Sequence, residues 1–147
     1  YEMKEDLARN NPYMKMVVNI LRAGKIIDHK ASEVLKEFGI THIQFNILRI
    51  LEARQPDKLT LGEVTEGLLF PTSDVSRLID RLVGRGLVNR VVCPVNRRKL
   101  EVTITEEGLE VIRQAIPKIE KSLDGYYKST INEDERLKVI DVMKRIR

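Results

Sequence analysis

Residues 73–108 read SDVSRLIDRLVGRGLVNRVVCPVNRRKLEVTITEEG, and their hydrophobic period changes once along the way. After a glycine-containing helix stop at 84–86, residues 87–92 are rich in β-branched side chains, and 100–104 alternate between apolar and polar ones. The change of period from 3.6 to 2 predicts a helix followed by a two-stranded hairpin with its loop at 93–99. The apolar stripe expected to pack this helix on a core is Val75, Leu78, Ile79 and Leu82.

Several helix starts can be recognised in the sequence before residue 73. Asn11 followed by Pro12 is typical of an N-cap and a first helical residue, and a helical apolar rhythm then runs to Gly39. Segments 41–44 and 60–63 each begin with Thr and carry Gln or Glu three residues later, which is the capping-box pattern. We therefore expect one long helix and two shorter capped helices before the basic helix.

Two more helices are predicted downstream. Thr105 has the position of an N-cap, and the apolar residues after it repeat at intervals of 3, 4, 3, 4 and 3. Because this is the a/d spacing of a coiled-coil seam, we expect this helix to mediate dimerisation. The residues predicted to do so are Leu109, Ile112, Ile116, Ile119, Leu123 and Tyr126. A last helix is predicted to start near 132, and its apolar residues include Ile140 and Met143.

The order of these elements indicates a fold class. Two short capped helices followed by a hairpin are typical of a winged helix-turn-helix. We predict a mainly α fold with a small β-hairpin wing, flanked by helices at both ends. In such a fold, the second helix of the pair enters the major groove of DNA, and the hairpin reaches the flanking backbone.

The charge distribution is uneven. The chain has 147 residues and a formal net charge of +4, but 72–99 alone carries +5, so everything else sums to −1. A basic stretch in a nearly neutral chain is expected of a surface that binds phosphates. On charge alone, a solvated basic face would be favoured over a binding surface.

Composition argues against several other classes of protein. The apolar share of 42% suits a folded core, and the longest apolar runs have three residues, so we expect neither a membrane span nor a signal-peptide core. A single cysteine excludes an internal disulfide and fits a cytoplasmic location. The only soft metal ligands, His29, His42 and Cys93, have spacings that match no zinc pattern or hydrolytic triad. We predict no metal, no cofactor and no enzymatic activity.

These three residues have ordinary interpretations. Cys93 has no second cysteine to resolve an oxidised form, so we expect packing or exposure rather than a redox switch. His29 and His42 lie on or beside helical segments that could border a ligand crevice. We expect both to be surface or core residues rather than parts of a ligand site.

The predicted contacts with DNA form two groups. One is the basic helix, predicted over 72–85, whose outward face near its start can reach base edges. The other is the loop at 93–99, where two guanidiniums can grip phosphates or enter a minor groove. The residues predicted to contact DNA are Thr72, Ser73, Asp74, Ser76, Arg77, Arg81, Arg97, Arg98 and Lys99.

Several charged or polar residues here admit a second interpretation. Ser73 suits helix capping as well as phosphate binding. Asp74 would repel phosphates, so we expect it to act on the helix dipole rather than on a cytosine amine. For Asp80 and Arg81, an internal ion pair that holds the helix to the wing is as consistent with the sequence as a direct role in DNA binding. Arg85 is expected to contact phosphate at most.

These motifs resemble those of a known family. The segments SDVSRLIDRL (73–82) and GLVNR (86–90) resemble the recognition helix and first wing strand of multiple-antibiotic-resistance (MarR) regulators. NRR (96–98) followed by VTITEEG (102–108) is similar to their wing signature, an acidic residue and two arginines before a strand running into Leu-Thr-x-x-Gly. Asn96 departs from the usual Asp. An asparagine can still cap a turn, but it cannot hold an arginine by charge.

The resemblance implies a homodimeric bacterial or archaeal transcription regulator, usually a repressor, that binds a pseudo-palindromic site in double-stranded DNA. It implies a single domain over 1–147, with dimerisation helices in 1–38 and 105–147 and a DNA-binding winged helix-turn-helix in 41–104. In the last helix, it implies that Ile140 and Met143 take part in dimerisation. Many members release DNA when a small lipophilic or phenolic effector binds. The alternative is a winged-helix module for protein–protein or RNA interaction, because a fold does not determine a function.

Overall fold

The computed structural model describes residues 11–146, so residues 1–10 of the predicted dimerisation segment and Arg147 lie outside the described part. A short 3₁₀ turn, Lys36–Phe38, follows the first helix. The mainly helical architecture with a small antiparallel sheet confirms the predicted fold class. The elements are α1 (Pro12–Leu35), α2 (His42–Ala53), β1 (Leu59–Thr60), α3 (Leu61–Gly67), α4 (Val75–Gly84), β2 (Val88–Val92), β3 (Leu100–Ile104), α5 (Glu106–Tyr127) and α6 (Glu133–Ile146).

Side-chain caps mark the starts of the first three helices. The Asn11 side chain accepts hydrogen bonds from the first turn of α1, and Thr41 and Gln44 form the predicted capping box at α2. At α3, Thr60 Oγ1 accepts from the Glu63 N–H, but the Glu63 carboxylate accepts from the Thr60 hydroxyl. The second predicted box therefore forms only in part.

The predicted two-stranded hairpin is present as β2 and β3, and a third strand, β1, which the sequence did not predict, completes the sheet. β3 lies in the centre and pairs antiparallel with both β1 and β2. Leu59 of β1 faces Val102 of β3, so the short strand joins the start of α3 to the base of the wing. A strand of two residues contains no alternation of apolar and polar residues, which is why the hydrophobic pattern did not reveal it.

The predicted start of the basic helix at Thr72 or Ser73 is wrong, because α4 begins at Val75. Thr72 Oγ1 accepts a hydrogen bond of 3.2 Å from the Asp74 N–H. Such a local side-chain bond offers the backbone an alternative to the helix. Asp74 occupies the N-cap position, but its side chain makes no capping hydrogen bond.

The hydrophobic core lies where α2 and α4 pack against the sheet and the first half of α5. All four apolar residues of the predicted α4 stripe are buried, which confirms that prediction. As a consequence, the opposite face of α4 is turned to solvent. The largest side chains with less than 2% exposure are Leu35, Ile47, Leu48, Leu51, Leu59, Ile79, Leu82 and Ile112.

Gly108 lies at the junction of α5 and the sheet, and its packing leads to a testable prediction. A Cβ on this residue would lie 2.3 Å from the carbonyl oxygen of Leu87 and 2.7 Å from Cγ1 of Ile104. Because backbone atoms cannot move aside cheaply, Gly108→Ala is expected to lower the free energy of unfolding by about 1–3 kcal/mol. Urea unfolding at a fixed protomer concentration measures this change.

Gly84→Ala is the matched control, because no atom lies within 4 Å of a Cβ built on Gly84. There we expect a neutral or slightly stabilising effect of at most about 1 kcal/mol, since alanine is the better helix former. Equal effects of the two substitutions would contradict the tight packing at Gly108.

Candidate nucleic-acid interface

The solvent face of α4 carries three of the six residues that were predicted to contact DNA from the basic helix, and the other three directly precede α4. Thr72 differs from the others, because it is half-buried and its hydroxyl is bonded to the backbone. Asp74 Oδ1 lies 4.0 Å from Nε of Arg77, so the carboxylate offsets part of the positive charge near the helix start. A basic, exposed face near a helix N-terminus suits entry into a major groove. The exposed members are Ser73, Asp74, Ser76, Arg77 and Arg81.

Asp80 joins α4 to the wing. Its carboxylate accepts a hydrogen bond from the Arg90 guanidinium on β2, so the two side chains form an ion pair between the helix and the first wing strand. Of the two interpretations that the sequence left open for Asp80, the structure therefore favours the internal ion pair. Arg81 is exposed on the outer face and remains available for DNA.

Arg85 has a structural partner that the sequence did not reveal. Its Nη1 donates a hydrogen bond of 2.7 Å to the carbonyl oxygen of Gly39. Gly39 has φ of 67° and ends the turn after α1, so Arg85 connects the end of α4 to the segment between α1 and α2. A phosphate contact by Arg85, which was expected from the sequence, would compete with this hydrogen bond for the same guanidinium group.

The wing loop is held by three hydrogen bonds. The Cys93 N–H donates to the Lys99 carbonyl at 3.0 Å, and the Lys99 N–H donates to the Asn96 carbonyl at 2.9 Å. The Asn96 side chain also accepts from the Arg98 N–H at 3.1 Å. Asn96 thus caps the turn, in agreement with what the sequence analysis expected of an asparagine at this position. The turn leaves the side chains of Arg97, Arg98 and Lys99 exposed.

The residues predicted for dimerisation divide into two groups. Ile112 is only 1% exposed and belongs to the core of the single chain, so it has no surface to offer a partner. Leu109, Ile116 and Ile119 are partly buried against the same core. The second group lies farther along the chain and consists of Leu123, which is half-buried, and Tyr126, Ile140 and Met143, which are exposed.

The end of α5 and the start of α6 enclose an apolar cleft of about 610 Å³. Leu123 and Ile140 both line it, so the fold brings together two residues predicted for dimerisation. Tyr127 lies beside them, and its burial, followed by the proximity of Tyr126, raises the pKa of the Tyr127 phenol. The cleft is therefore an apolar surface at the end of the molecule formed by α5 and α6.

The remaining candidate ligands do not form a site within residues 11–146. His42 Nδ1 lies 2.7 Å from Asp28 Oδ1 of α1, and its ring meets Phe70 edge-on, so His42 joins three segments of the fold. Cys93 is half-buried at the base of the wing loop. In this part of the chain, no three potential metal ligands come together, and no helix is long and apolar enough to cross a bilayer.

Comparisons with known proteins agree with this geometry. The model of the MarR family matches residues 38–99. The uncharacterized HTH-type transcriptional regulator YsmB of Bacillus subtilis is 31% identical over 109 residues, which cover 74% of this chain and 73% of YsmB.

Solved structures with the same fold include two regulators. The MarR-family regulator Sco3205 from Streptomyces coelicolor, in complex with DNA, has a TM-score of 0.78 at 20% identity and covers 91% of this chain and 85% of its own. BpsR of Bordetella bronchiseptica, whose DNA binding is regulated by 6-hydroxynicotinic acid, has a TM-score of 0.74 at 22% identity, with 86% and 89% covered.

The exposed basic face of α4, the wing and these relatives together define a DNA-binding, helix-turn-helix transcriptional regulator. The relatives are regulators rather than enzymes. The chain belongs to the MarR family, which confirms the resemblance seen in the sequence.

Proposed function

We propose that this regulator acts as a homodimeric repressor that binds a pseudo-palindromic duplex site. The observation that carries the proposal is the combination of an exposed basic surface with a last helix that has no buried residue. The basic surface consists of the α4 face and the wing loop, 93–99. The terminal helix is α6, none of whose residues is buried.

The proposed contacts with DNA follow from exposure and chemistry. Arg77 and Arg81, on the outer face of α4, have the fork of donors that matches the major-groove edge of guanine. Ser73 and Ser76 are assigned to phosphates, as short hydroxyl donors near the helix start. Arg97 and Arg98, with the neighbouring Lys99, are assigned to the minor groove and its phosphates. The ion pair between Asp80 and Arg90 is assigned to holding the two elements in register.

The proposed dimer follows from the exposure of the apolar side chains of α6. A helix of 14 residues is marginal on its own in water, so its stability requires packing against something. Its apolar residues include Ile140 and Met143, which are 42% and 39% exposed, beside the cleft at the end of α5. A second copy of the chain, with α1 and α6 interlocked across a twofold axis, would cover these surfaces. In this arrangement 1–38 and 105–147 form the dimerisation region, and 41–104 binds DNA.

Regulation by an effector is the second part of the proposal. BpsR responds to a small aromatic acid, and we propose a small lipophilic or phenolic effector for this chain as well. Such a ligand would act by binding two arrangements of the recognition helices with different affinity, typically by about 1–3 kcal/mol. Repression follows if the arrangement without effector is the one that fits the site.

Selection from a random duplex library tests the proposal. We expect the purified protein to enrich an inverted repeat whose half-site centres lie about 10–10.5 base pairs apart, one turn of the duplex. Enrichment from a matched RNA pool, with no enrichment of duplex DNA, would instead favour the alternative of an RNA-binding module. Enrichment of neither pool would leave the protein-interaction module as the better account and overturn the proposal.

A further inference from the structure

Val95, at the tip of the wing, is an apolar residue in an unusual position. It is 96% exposed, the highest value among the large hydrophobic side chains within residues 11–146. Val92, at the end of β2, is 52% exposed by comparison. A fully exposed isopropyl group adds no hydrophobic stabilisation to the folded chain, because folding removes none of its surface from water.

The loop presents Val95 together with the wing arginines. The hydrogen bond from the Lys99 N–H to the Asn96 carbonyl closes a four-residue turn, in which Arg97 and Arg98 are the central residues. Val95 directly precedes this turn and follows Pro94. Proline restricts its own φ, and the branched Cβ of valine restricts χ1, so the loop presents a stiff apolar side chain. Val95 therefore lies on the same exposed loop, two residues before Arg97 and three before Arg98.

The minor groove differs between base pairs in a way that such a side chain can detect. Both A·T and T·A present only acceptors there, whereas G·C adds the 2-amino group of guanine. That amino group stands up from the floor of the groove and needs a hydrogen-bond acceptor. An isopropyl group has no acceptor to offer and would collide with the amino group if it approached the floor.

We infer that Val95 is a specificity-determining residue, which contacts the minor-groove floor beside each half-site and favours A·T over G·C pairs by excluding the guanine amino group. The inference rests on the proposed function, in which the wing enters the minor groove. It adds a readout by shape and apolar contact to the electrostatic attraction of Arg97 and Arg98 for a narrow groove.

The test uses the duplex obtained from the library selection, with the base pairs just outside each half-site changed to A·T, G·C or inosine·cytosine. Inosine lacks the 2-amino group but keeps the major-groove edge of guanine. For the wild-type protein, we expect binding to the G·C duplex about tenfold weaker than to the A·T duplex, with inosine restoring most of the loss. Fluorescence anisotropy at one salt concentration measures all three affinities.

Val95→Ala should reduce this discrimination. We expect it to weaken binding to the A·T and inosine duplexes about fivefold, because the lost methyl groups no longer cover the groove floor, and to leave the G·C duplex nearly unchanged. Val92→Ala is the control with the same chemical change on the same hairpin, and it should leave the ratio of the three affinities as in the wild type.

The results distinguish failure of the Val95 assignment from failure of the proposed DNA binding. If Val95→Ala leaves the ratios unchanged, or weakens all three duplexes equally, then Val95 does not read the groove floor, although duplex binding by the wing still stands. If the wild-type protein binds none of the duplexes, the proposed function fails and this inference fails with it.

Discussion

Arg97→Ala combined with Arg98→Ala is expected to weaken binding to the selected duplex at least about 100-fold, since each arginine contact with DNA is worth about 1–3 kcal/mol. Both side chains are exposed on a turn held by Asn96, so their removal disturbs no buried group. The slope of log affinity against log salt should also become shallower by about 4, because the proposed dimer loses two phosphate contacts in each of its two subunits. Anisotropy titrations at several salt concentrations measure both effects.

The control for this variant removes the same charge elsewhere. Lys138 and Arg145 are exposed on α6, on the side of the helix opposite Ile140. Lys138→Ala with Arg145→Ala should therefore leave the affinity within about threefold of wild type, since surface charges distant from the duplex are screened. If the wing variant bound as tightly as this control at every salt concentration, the assignment of the wing to DNA would be wrong.

Ile140→Glu combined with Met143→Glu is expected to convert the proposed dimer into a monomer. The two carboxylates would enter the apolar surface that the partner covers, where an unpaired charge is strongly unfavourable. Sedimentation equilibrium should then report the mass of one chain, 17.0 kDa, in place of twice that mass. Affinity for the selected duplex should fall at least about 100-fold. In a dimer, binding of one recognition helix raises the effective concentration of the second at its half-site, and a monomer lacks this gain.

The same double alanine variant of Lys138 and Arg145 controls for the charge change, which is −2 in both cases. It should remain dimeric and bind the duplex. A dimeric mass for Ile140→Glu with Met143→Glu, together with normal duplex affinity, would show that the apolar face of α6 does not form the interface.

Much of the fold could be predicted because the deciding signals are local. Asn11, Thr41 and Thr105 lie at helix starts, where a side-chain oxygen satisfies a free backbone N–H within three residues. The four buried residues of α4 repeat at the helical period, so the stripe identified both the buried face and the exposed basic one. The hairpin at 88–104 was equally clear, because alternation and a proline-containing loop are visible in the sequence alone.

The features that escaped prediction depend on contacts between distant segments. Arg85 meets Gly39 across 46 positions of the chain, and no pattern around either residue indicates this. The heptad spacing after Thr105 is real, but a spacing does not say which partner covers it. Ile112 packs on the chain's own core, whereas Ile140 does not, and only the three-dimensional arrangement separates the two.

In the proposed complex, two identical subunits place two copies of the α4 face and the wing on one duplex. The mass of the complex tests this arrangement most directly. Native mass spectrometry of the protein with the selected duplex should show two chains of 17.0 kDa per duplex. A duplex that keeps only one half-site should bind at least about 100-fold more weakly. One chain per duplex, with full and half sites bound equally well, would contradict the account.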